Sequence, residues 1–310
     1  MGNTIEDRLK NYLNLYWLRP ENGLLQTFKS KVFEDFEITS PSLEISCGDG
    51  LFYAIHLDGK FREDFDYFQS TKAQEFSHNS FVDIYDHYDE NYNVPYIEKP
   101  TKQFDYGTDW KQALLDKAAK AQVHKNLILH DNNKLPLPFQ DNFFKTIYSN
   151  SVYWVQNVKD LLADIYRITS PGGLVALEVM TPHMFETLKE MENFFDKDAI
   201  SILDRKRRET MPGLYDYDEW NKRMNESGFK IVKVKSVYPN KILLDIWNIG
   251  LRPISHLLIQ MSDKLSTDDK RKIKKEWVDI FYKIFKPLLQ VNQSYTLDKS
   301  PYLYYLLKKE

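Results

Sequence analysis

The stretch that decides the fold is Ser42-Leu43-Glu44-Ile45-Ser46-Cys47-Gly48-Asp49-Gly50-Leu51. A short apolar run containing one acid leads into a loop of small residues with two glycines. This pattern is typical of a buried strand that turns sharply into a helix. Glycine suits such a turn because it adopts backbone angles that other residues avoid and leaves room for a ligand. Taken alone, the pattern occurs in many α/β proteins and indicates no particular ligand.

The composition is that of an ordinary globular protein. The chain has 310 residues, of which 42% are hydrophobic and 28% charged, and its formal net charge is -3. This charge gives no reason to expect a nucleic-acid partner. The one cysteine, Cys47, excludes an internal disulfide, fits a reducing compartment and is interpreted as a small buried residue.

No apolar run approaches the ~20 residues that a membrane helix needs. The N-terminus carries charges where a signal peptide would have its apolar region. We therefore expect a cytoplasmic protein without a membrane span. The oligomeric state is not predicted.

Strand and helix patterns alternate along the chain. Strands are predicted at 42–45, 103–108, 126–130, 146–149, 174–179, 229–238 and 301–307, with helices between them at 111–121 and 219–226. This alternation favours an α/β fold with a parallel sheet covered on both faces. Gly228 is interpreted as the glycine that closes the second of these helices.

Three additions surround this alternation: an N-terminal helical cap (1–38), an insertion after the first helix (59–102) and a helical insertion between the last two strands (240–299). The first insertion is a lid candidate because long loops in compact domains are usually functional or disordered. Its residues Asp83, Asp86, His87 and Asp89 match no metal-ligand spacing, so no metal is predicted.

The best helix of the last insertion is predicted to start near Ser266, with Asp269 completing a variant capping box. Its apolar stripe is expected to pack into the core; the stripe consists of Ile273, Trp277, Ile280, Phe281, Ile284 and Leu288. In the N-terminal cap, Trp17 is expected in the core and Arg19 in a surface ion pair.

Two ligand classes use a glycine turn after the first strand and an acid at the end of the second. Dinucleotide enzymes place a pyrophosphate on a Gly-x-Gly-x-x-Gly turn. In this chain the residues after Gly50 are Leu51-Phe52-Tyr53, whose bulk would crowd a pyrophosphate. The acid before the turn, in the spacing Glu44-x-Ser46-x-Gly48-x-Gly50, favours a different ligand.

Five segments occur in order between residues 40 and 182: Leu-Glu-Ile-Ser-Cys-Gly-Asp-Gly at 43–50, Tyr-Gly-Thr-Asp at 106–109, Asp131 followed by Leu-Pro-Leu-Pro-Phe at 135–139, Ser-Asn-Ser-Val at 149–152 and Arg-Ile-Thr-Ser-Pro-Gly-Gly at 167–173. In this combination the chain resembles the class I S-adenosylmethionine-dependent methyltransferases, of the branch that includes quinone-biosynthesis and many small-molecule methyltransferases. The resemblance implies a single domain over 1–310 with a Rossmann-like fold, a doubly wound seven-stranded sheet whose last strand runs antiparallel to the rest.

The resemblance also implies the cofactor, S-adenosylmethionine, and its contacts. Ser46, Cys47 and Gly48 would lie against its methionine and ribose, and Glu44 beside its ammonium group. Further along the chain, Asp109 would bind the ribose hydroxyls, Asp131 and Asn132 the adenine edge, Trp110 the adenine face and Asn150 the methyl-donor end. A carboxylate has lone pairs enough for both ribose hydroxyls. The alternative interpretation of Asp109 is the N-cap of the following helix.

Ser46 stands where the family has its first turn glycine, which leaves open a non-catalytic, methyltransferase-like binding protein. An NAD-dependent Rossmann oxidoreductase is the other alternative. No catalytic base carries over, because Tyr153 and Trp154 occupy the region where many relatives have a histidine. The candidates for that role are Tyr153, His183 and His87.

For the acceptor we expect a small molecule or a glycan precursor, methylated by in-line displacement in a site that excludes water. The run Arg205-Lys206-Arg207-Arg208 could hold an anionic acceptor, such as a phosphorylated or nucleotide-linked sugar. The favoured interpretation of this run is a solvated helix face.

Overall fold

The computed structural model describes residues 3–69, 71, 87–291 and 295–310. Its strands are β1 (Ser42–Ile45), β2 (Lys60–Phe61), β3 (Tyr96–Glu98), β4 (Phe104–Asp109), β5 (His124–Leu129), β6 (Phe144–Ser149), β7 (Thr169–Met180), β8 (Lys230–Ser236) and β9 (Tyr302–Lys308). Seven of them form one sheet in the order β5-β4-β1-β6-β7-β9-β8. Only β9 runs antiparallel to its neighbours, β7 and β8. The predicted α/β fold with an antiparallel last strand is confirmed.

The helices alternate with these strands or belong to the additions. They are α1 (Ile5–Leu15), α2 (Pro20–Val32), α3 (Leu51–His56), α4 (Gln112–Ala121), α5 (Val158–Ile168), α6 (Glu186–Met191), α7 (Lys197–Asp204), α8 (Tyr217–Glu226), α9 (Lys241–Ile249), α10 (Ser255–Ser262) and α11 (Thr267–Phe285). Short 3-10 helices cover Phe33–Asp35, Val152–Trp154, Pro182–Phe185, Arg208–Thr210, Arg252–Ile254, Lys286–Gln290 and Leu297–Lys299.

The centre of the sheet is buried on both faces. All residues of β1 and all but the last of β9 are buried, whereas the edge strands β5 and β8 expose several residues. Continuous burial is expected of strands that helices cover on both sides. The chain order reverses between β1 and β6, so the carboxyl ends of these two strands flank the crevice where doubly wound sheets bind ligands.

The N-terminal helices pack on the C-terminal insertion: α1 lies against α11, and α2 against α9. Trp17 is buried, as expected, and donates from Nε1 to Oδ2 of Asp66 at 3.1 Å. Arg19 is only 6% exposed and pairs with buried Glu21 at 3.3 Å. The expectation of a surface ion pair at Arg19 is therefore wrong.

The long helix α11 starts where the sequence predicts, with the hydroxyl of its N-cap, Ser266, accepting from the backbone N–H of Asp269. Its apolar stripe is only partly in the core. Trp277, Phe281 and Leu288 are partly buried and pack against the core. Ile273, Ile280 and Ile284 are more than two-fifths exposed. The stripe is wider than the face that α11 presents to its neighbours, so the three isoleucines lie outside the contact.

Among the described residues, one helical segment, Lys241–Ser262, could cross a membrane by length and composition alone; a third of its most apolar 18-residue window is buried. This differs from the expectation that no apolar run approaches such a length. The segment consists of two helices, α9 and α10, separated at Gly250–Ile254. Each helix is much shorter than the ~20 residues that span a bilayer.

The described part of the first insertion contains an antiparallel pair formed by β2 and β3. Asp83 and Asp86 lie outside the described residues, and so does most of the predicted lid. Within the ranges that the structure describes, no group of three or more His, Cys, Asp or Glu side chains could hold a metal ion. The expectation of no metal stays a prediction.

Candidate functional site

The glycine turn connects β1 to α3 and adopts left-handed backbone angles at three positions. The φ angles are 57° at Ser46, 58° at Gly48 and 75° at Gly50, which is the N-cap of α3. The backbone N–H of Cys47 donates to the carbonyl of Thr108 at 2.7 Å and ties the turn to β4. Serine thus occupies a conformation that favours glycine, and the turn keeps the shape of a glycine turn.

Asp109, the last residue of β4, is bound to this turn. One carboxylate oxygen accepts from the backbone N–H of Gly48 and the other from that of Lys111, both at 3.0 Å. Burial raises the pKa of Asp109, and these backbone N–H groups partly offset the rise. The N-cap of α4 is Lys111, so the interpretation of Asp109 as that N-cap is wrong.

Ser46 and Asn132 meet above the carboxyl end of the sheet. The Asn132 side-chain amide donates to the Ser46 hydroxyl at 2.7 Å. The amide oxygen of Asn132 is buried and has no hydrogen-bond partner among the described residues. A buried carbonyl oxygen without a partner costs free energy, and a ligand N–H aimed at it would remove that cost.

Glu44 lies inside the protein and bonds His124, the first residue of β5. The Glu44 carboxylate and His124 Nε2 are 2.7 Å apart, and both side chains are buried. Burial raises the pKa of Glu44, and the hydrogen bond to His124 works against that rise. Gly107 makes room for the ring, since a Cβ there would lie 2.7 Å from His124 Cδ2.

Sequence reasoning missed His124, which lies 80 residues after Glu44. The available signal was weak: a histidine at the start of a predicted buried strand, beside a glycine in the neighbouring strand. Register places Gly107 opposite Leu127 and Phe104 opposite His124. The pairing of strands, and not any local motif, brings the acid and the imidazole together.

Trp110 is the most exposed tryptophan near the turn. Its side chain is 63% exposed and directly follows Asp109. The neighbouring Lys111 ammonium lies 5.0 Å from the ring centroid. A large exposed aromatic ring beside a buried carboxylate is a surface on which a ligand ring can stack.

The other predicted cofactor residues follow β5, β6 and β1. Asp131 is half-buried and accepts from the backbone and side chain of Asn133. Asn150 is half-buried next to Ser149, whose hydroxyl donates to the Ile45 carbonyl at 3.1 Å. Cys47 is buried, as predicted, and burial raises the pKa of its thiol. All of them lie at one edge of the sheet.

The three candidate bases differ in placement. Tyr153 is buried just after β6, and its ring lies 6.3 Å from that of Tyr302. His183 follows β7 and faces Glu186 at 3.7 Å, in a pair within one helical turn. His87 is half-buried in the first insertion. Only Tyr153 follows a strand that borders the crevice.

The site as a whole fits a nucleoside-containing cofactor. Open space lies over Gly48, where a Cβ would have no neighbour within 4 Å. The Asp109 carboxylate accepts backbone hydrogen bonds from Gly48 and Lys111, and a carboxylate has further lone pairs that can accept from hydroxyl groups. The unpartnered oxygen of Asn132 and the exposed ring of Trp110 add an acceptor and a stacking surface.

Comparison with known proteins agrees with this geometry. Residues 94–177 match the family model of a methyltransferase domain. This segment covers less than a third of the chain; it includes Asp109, Asn132 and Asn150 but begins after the glycine turn. No curated protein matches the sequence.

Solved structures of similar chain path include two S-adenosylmethionine-dependent methyltransferases. One, from Thermotoga maritima, is 11% identical with a TM-score of 0.48, over 93% of this chain and 92% of that chain. The other, from Mesorhizobium loti, is 13% identical with a TM-score of 0.46, over 93% of this chain and 100% of that chain. Both TM-scores are below 0.5, so these likenesses carry no argument about function.

Proposed function

We propose, from the premise that this chain carries a methyltransferase domain, that it binds S-adenosylmethionine at the carboxyl edge of β1, β4 and β5. Its methyl group would go to a small-molecule acceptor. The observation that carries this proposal is the bond between the Asp109 carboxylate and the Gly48 N–H, with the exposed Trp110 ring beside it. The bond holds the turn and the acid in one arrangement before any ligand arrives.

Each residue has a role that follows from its surroundings. The free lone pairs of Asp109 accept from the two ribose hydroxyls, and Trp110 stacks on the adenine. The amide oxygen of Asn132 accepts from the exocyclic adenine amine. These contacts use groups that the fold leaves with unmet hydrogen bonds or exposed apolar surface.

Two hydrogen bonds orient the side chains of Glu44 in β1 and Ser46 in the turn. The bond to His124 fixes the orientation of the Glu44 carboxylate, which contributes negative charge beside the cofactor's ammonium group. The hydrogen bond from Asn132 fixes the orientation of the Ser46 hydroxyl. Ser46 therefore supports an ordered site, which favours an active enzyme over a non-catalytic homologue.

When bound, S-adenosylmethionine would supply an electrophilic methyl group; the acceptor's lone pair would form the new bond, and the sulfur would keep the electrons of the broken one. The protein's part is to orient the acceptor and exclude water. Tyr153 and Asn150, after β6, are the residues we propose beside the acceptor. An unprotonated amine needs no base, whereas a hydroxyl acceptor would need one.

Isothermal titration with S-adenosylhomocysteine tests the proposal. Trp110→Ala should bind at least fivefold more weakly, since base stacking on an aromatic ring contributes ~1–3 kcal/mol. Its matched control is Phe143→Ala, another exposed aromatic, which lies at the amino end of β6. Asp109→Asn should also weaken binding; its control is Asp105→Asn, at the amino end of the same strand.

The outcomes separate the alternatives. Loss of affinity in both site variants, with both controls near wild type, supports the site. Wild-type protein that binds NAD in place of S-adenosylhomocysteine would establish the oxidoreductase alternative. Binding of neither ligand would favour the non-catalytic alternative, and unchanged affinity in Trp110→Ala and Asp109→Asn would place the cofactor elsewhere.

A further inference from the structure

Two arginines from distant segments lie beside one tryptophan, and two more arginines lie close to them. We call Arg19, Arg205, Arg207 and Arg252 the arginine cluster. The guanidinium carbons of Arg207 and Arg252 lie 4.4 and 5.2 Å from the ring centroid of Trp247. Arg205 donates to the backbone carbonyl of Arg252 at 3.5 Å, and Arg19 acts electrostatically on both Arg205 and Arg207.

Arg207 is the buried centre of this cluster. Its side chain is 4% exposed, and its Nε and Nη2 donate to the backbone carbonyls of Asp204 and Leu203. Its Nη1 is also buried and has no acceptor within the ranges that the structure describes. Burial lowers the pKa of Arg207 to about 10, with Asp204 opposing the change. Arg207 thus keeps a buried cationic donor without a partner.

The local backbone turns Arg207 inward. Helix α7 ends at Asp204, and Arg205 and Lys206 then adopt φ angles of 48° and 61°. Two successive left-handed residues without a glycine are rarely found in proteins. The interpretation of this run as a solvated helix face is therefore wrong for Arg207.

Two buried carboxylates, Glu21 and Asp204, lie beside the two buried arginines of the cluster, Arg19 and Arg207. Arg19 pairs with Glu21 at 3.3 Å. The Oδ2 of Asp204 is 3.1 Å from Arg208 Nε, while its Oδ1 is 4.0 Å from Arg207 Nε. Asp204 is thus shared between Arg207 and Arg208, and its Oδ1 lies at the limit of ion-pair distance from Arg207. A buried guanidinium with an unpaired N–H is costly, so the Nη1 of Arg207 is suited to bind an anion.

The cluster adjoins the carboxyl edge of the sheet through tyrosines. Tyr238 is 2% exposed, and its hydroxyl has no hydrogen-bond partner in the described part of the chain. Burial raises the pKa of Tyr238, and the charges of Arg207 and Arg252 act against the rise. The Tyr238 ring is 6.5 Å from Tyr302, which in turn is 6.3 Å from Tyr153. A row of three packed tyrosine rings thus connects the cluster to Tyr153, which lies just after β6.

We propose that the arginine cluster and Tyr238 form the acceptor site, and that the acceptor carries an oxyanion, a carboxylate or a phosphate, bound by Arg207 Nη1 and the Tyr238 hydroxyl. A guanidinium offers paired N–H donors that match either group. The identification of the bound molecule as the methyl acceptor rests on the proposed function. The oxyanion site itself rests on the contacts of Arg207 and Tyr238. Helix α2, the segment after α7 and the C-terminal insertion all contribute to it.

The test uses wild-type protein saturated with S-adenosylhomocysteine, melted with increasing inorganic phosphate or acetate. Sodium chloride at matched ionic strength is the reference. A ligand that binds only the folded state raises Tm in a saturable way. We expect this response for at least one anion, and the anion that acts at lower concentration identifies the group.

Three variants locate the site. Arg207→Gln should weaken anion binding at least tenfold, and Arg207→Lys should restore part of it. Tyr238→Phe keeps the ring, removes the hydroxyl and should weaken anion binding severalfold. This variant tests the site if Arg207→Gln does not fold. The matched control is Arg271→Gln, which removes an exposed arginine of α11 paired with Asp268 at 3.7 Å and should leave binding within twofold.

The results that overturn the inference are clear. A wild-type response no larger than that to chloride, or an equal response in Arg207→Gln and Tyr238→Phe, would remove the oxyanion site. Titration of each variant with S-adenosylhomocysteine keeps the two proposals apart, since its affinity should be unchanged. Wild-type protein that binds the anion but not S-adenosylhomocysteine would overturn the proposed function and the assignment as an acceptor site.

Discussion

The side-chain amide of Asn132 donates a 2.7 Å hydrogen bond to the hydroxyl of Ser46, 86 residues earlier in the chain. The bond joins the turn after β1 to the segment after β5, across the end of β4. Ser46 stands where the resembling family has a glycine. Its hydroxyl gives the turn a partner that glycine could not provide, so the departure from the family pattern has a structural use.

Substitution of Ser46 separates its backbone role from its hydroxyl. Ser46→Ala keeps the left-handed φ of 57° and loses the bond to Asn132. Ser46→Gly loses the bond but relieves the backbone, for which a left-handed residue other than glycine costs ~1–2 kcal/mol. Urea unfolding should show the glycine variant to be the more stable of the two by about 1 kcal/mol. An alanine variant as stable as the glycine variant would contradict the strained turn.

Gly107 is expected to be intolerant of a side chain because its Cβ would lie 2.7 Å from the His124 ring. Gly107→Ala should destabilise the protein by ~1–3 kcal/mol, the usual cost of overpacking. The cost should fall in a His124→Ala background, where the ring is absent. Chemical denaturation of the four proteins of this double-mutant cycle measures the coupling. An equal cost in both backgrounds would show that the clash is not with His124.

Lys29 and Glu178 form a buried ion pair between α2 and β7, with nitrogen and oxygen 2.9 Å apart. Lys29→Met leaves the Glu178 carboxylate buried and should cost ~3–5 kcal/mol at pH 7. Burial raises the pKa of Glu178, so the loss should shrink as pH falls and the carboxylate becomes protonated. Lys31→Met, an exposed lysine of the same helix, is the control. A loss that does not depend on pH would contradict the role of the Glu178 charge.

His56 should make stability depend on pH in the acid range. Burial lowers its pKa from 6.5 to about 3, so the unfolded state binds the extra proton between these values. Stability contributed by neutral His56 is present above pH 6.5 and is lost as pH falls towards 3. From pH 7 to pH 5 the wild type should lose about 2 kcal/mol more than His56→Gln. Parallel stability profiles for the two proteins would contradict this.

The order of the elements followed from local patterns. The turn at 46–50, the acid ending β4 and the Ser266 start of α11 were all readable because hydrophobic period, glycine and capping residues act over a few positions. The site residues fell at one edge for the same reason, since each follows the carboxyl end of a predicted strand. The stripe of α11 was misjudged because periodicity does not show how much of a helix face its neighbours cover.

The family match covers the part of the cofactor site that contains Asp109 and Asn132, and strand pairing joins the glycine turn to it. The matched segment, 94–177, holds Asp109 and Asn132. The turn lies before it, separated by the first insertion. Strand pairing closes this gap, because β1 lies between β4 and β6 in register, with Ile45 opposite Thr108 and Ser149.

The amino-acid sequence by itself determined the α/β class, the strand order along the chain and the residues that end the central strands, because these depend on short-range patterns. Only the tertiary structure decided the partners: His124 for Glu44, Asn132 for Ser46 and the inward position of Arg207. These contacts join residues far apart in the chain, and burial alters their charges. Local sequence carries no information about either, since both arise when the strands pair and the additions close over the sheet.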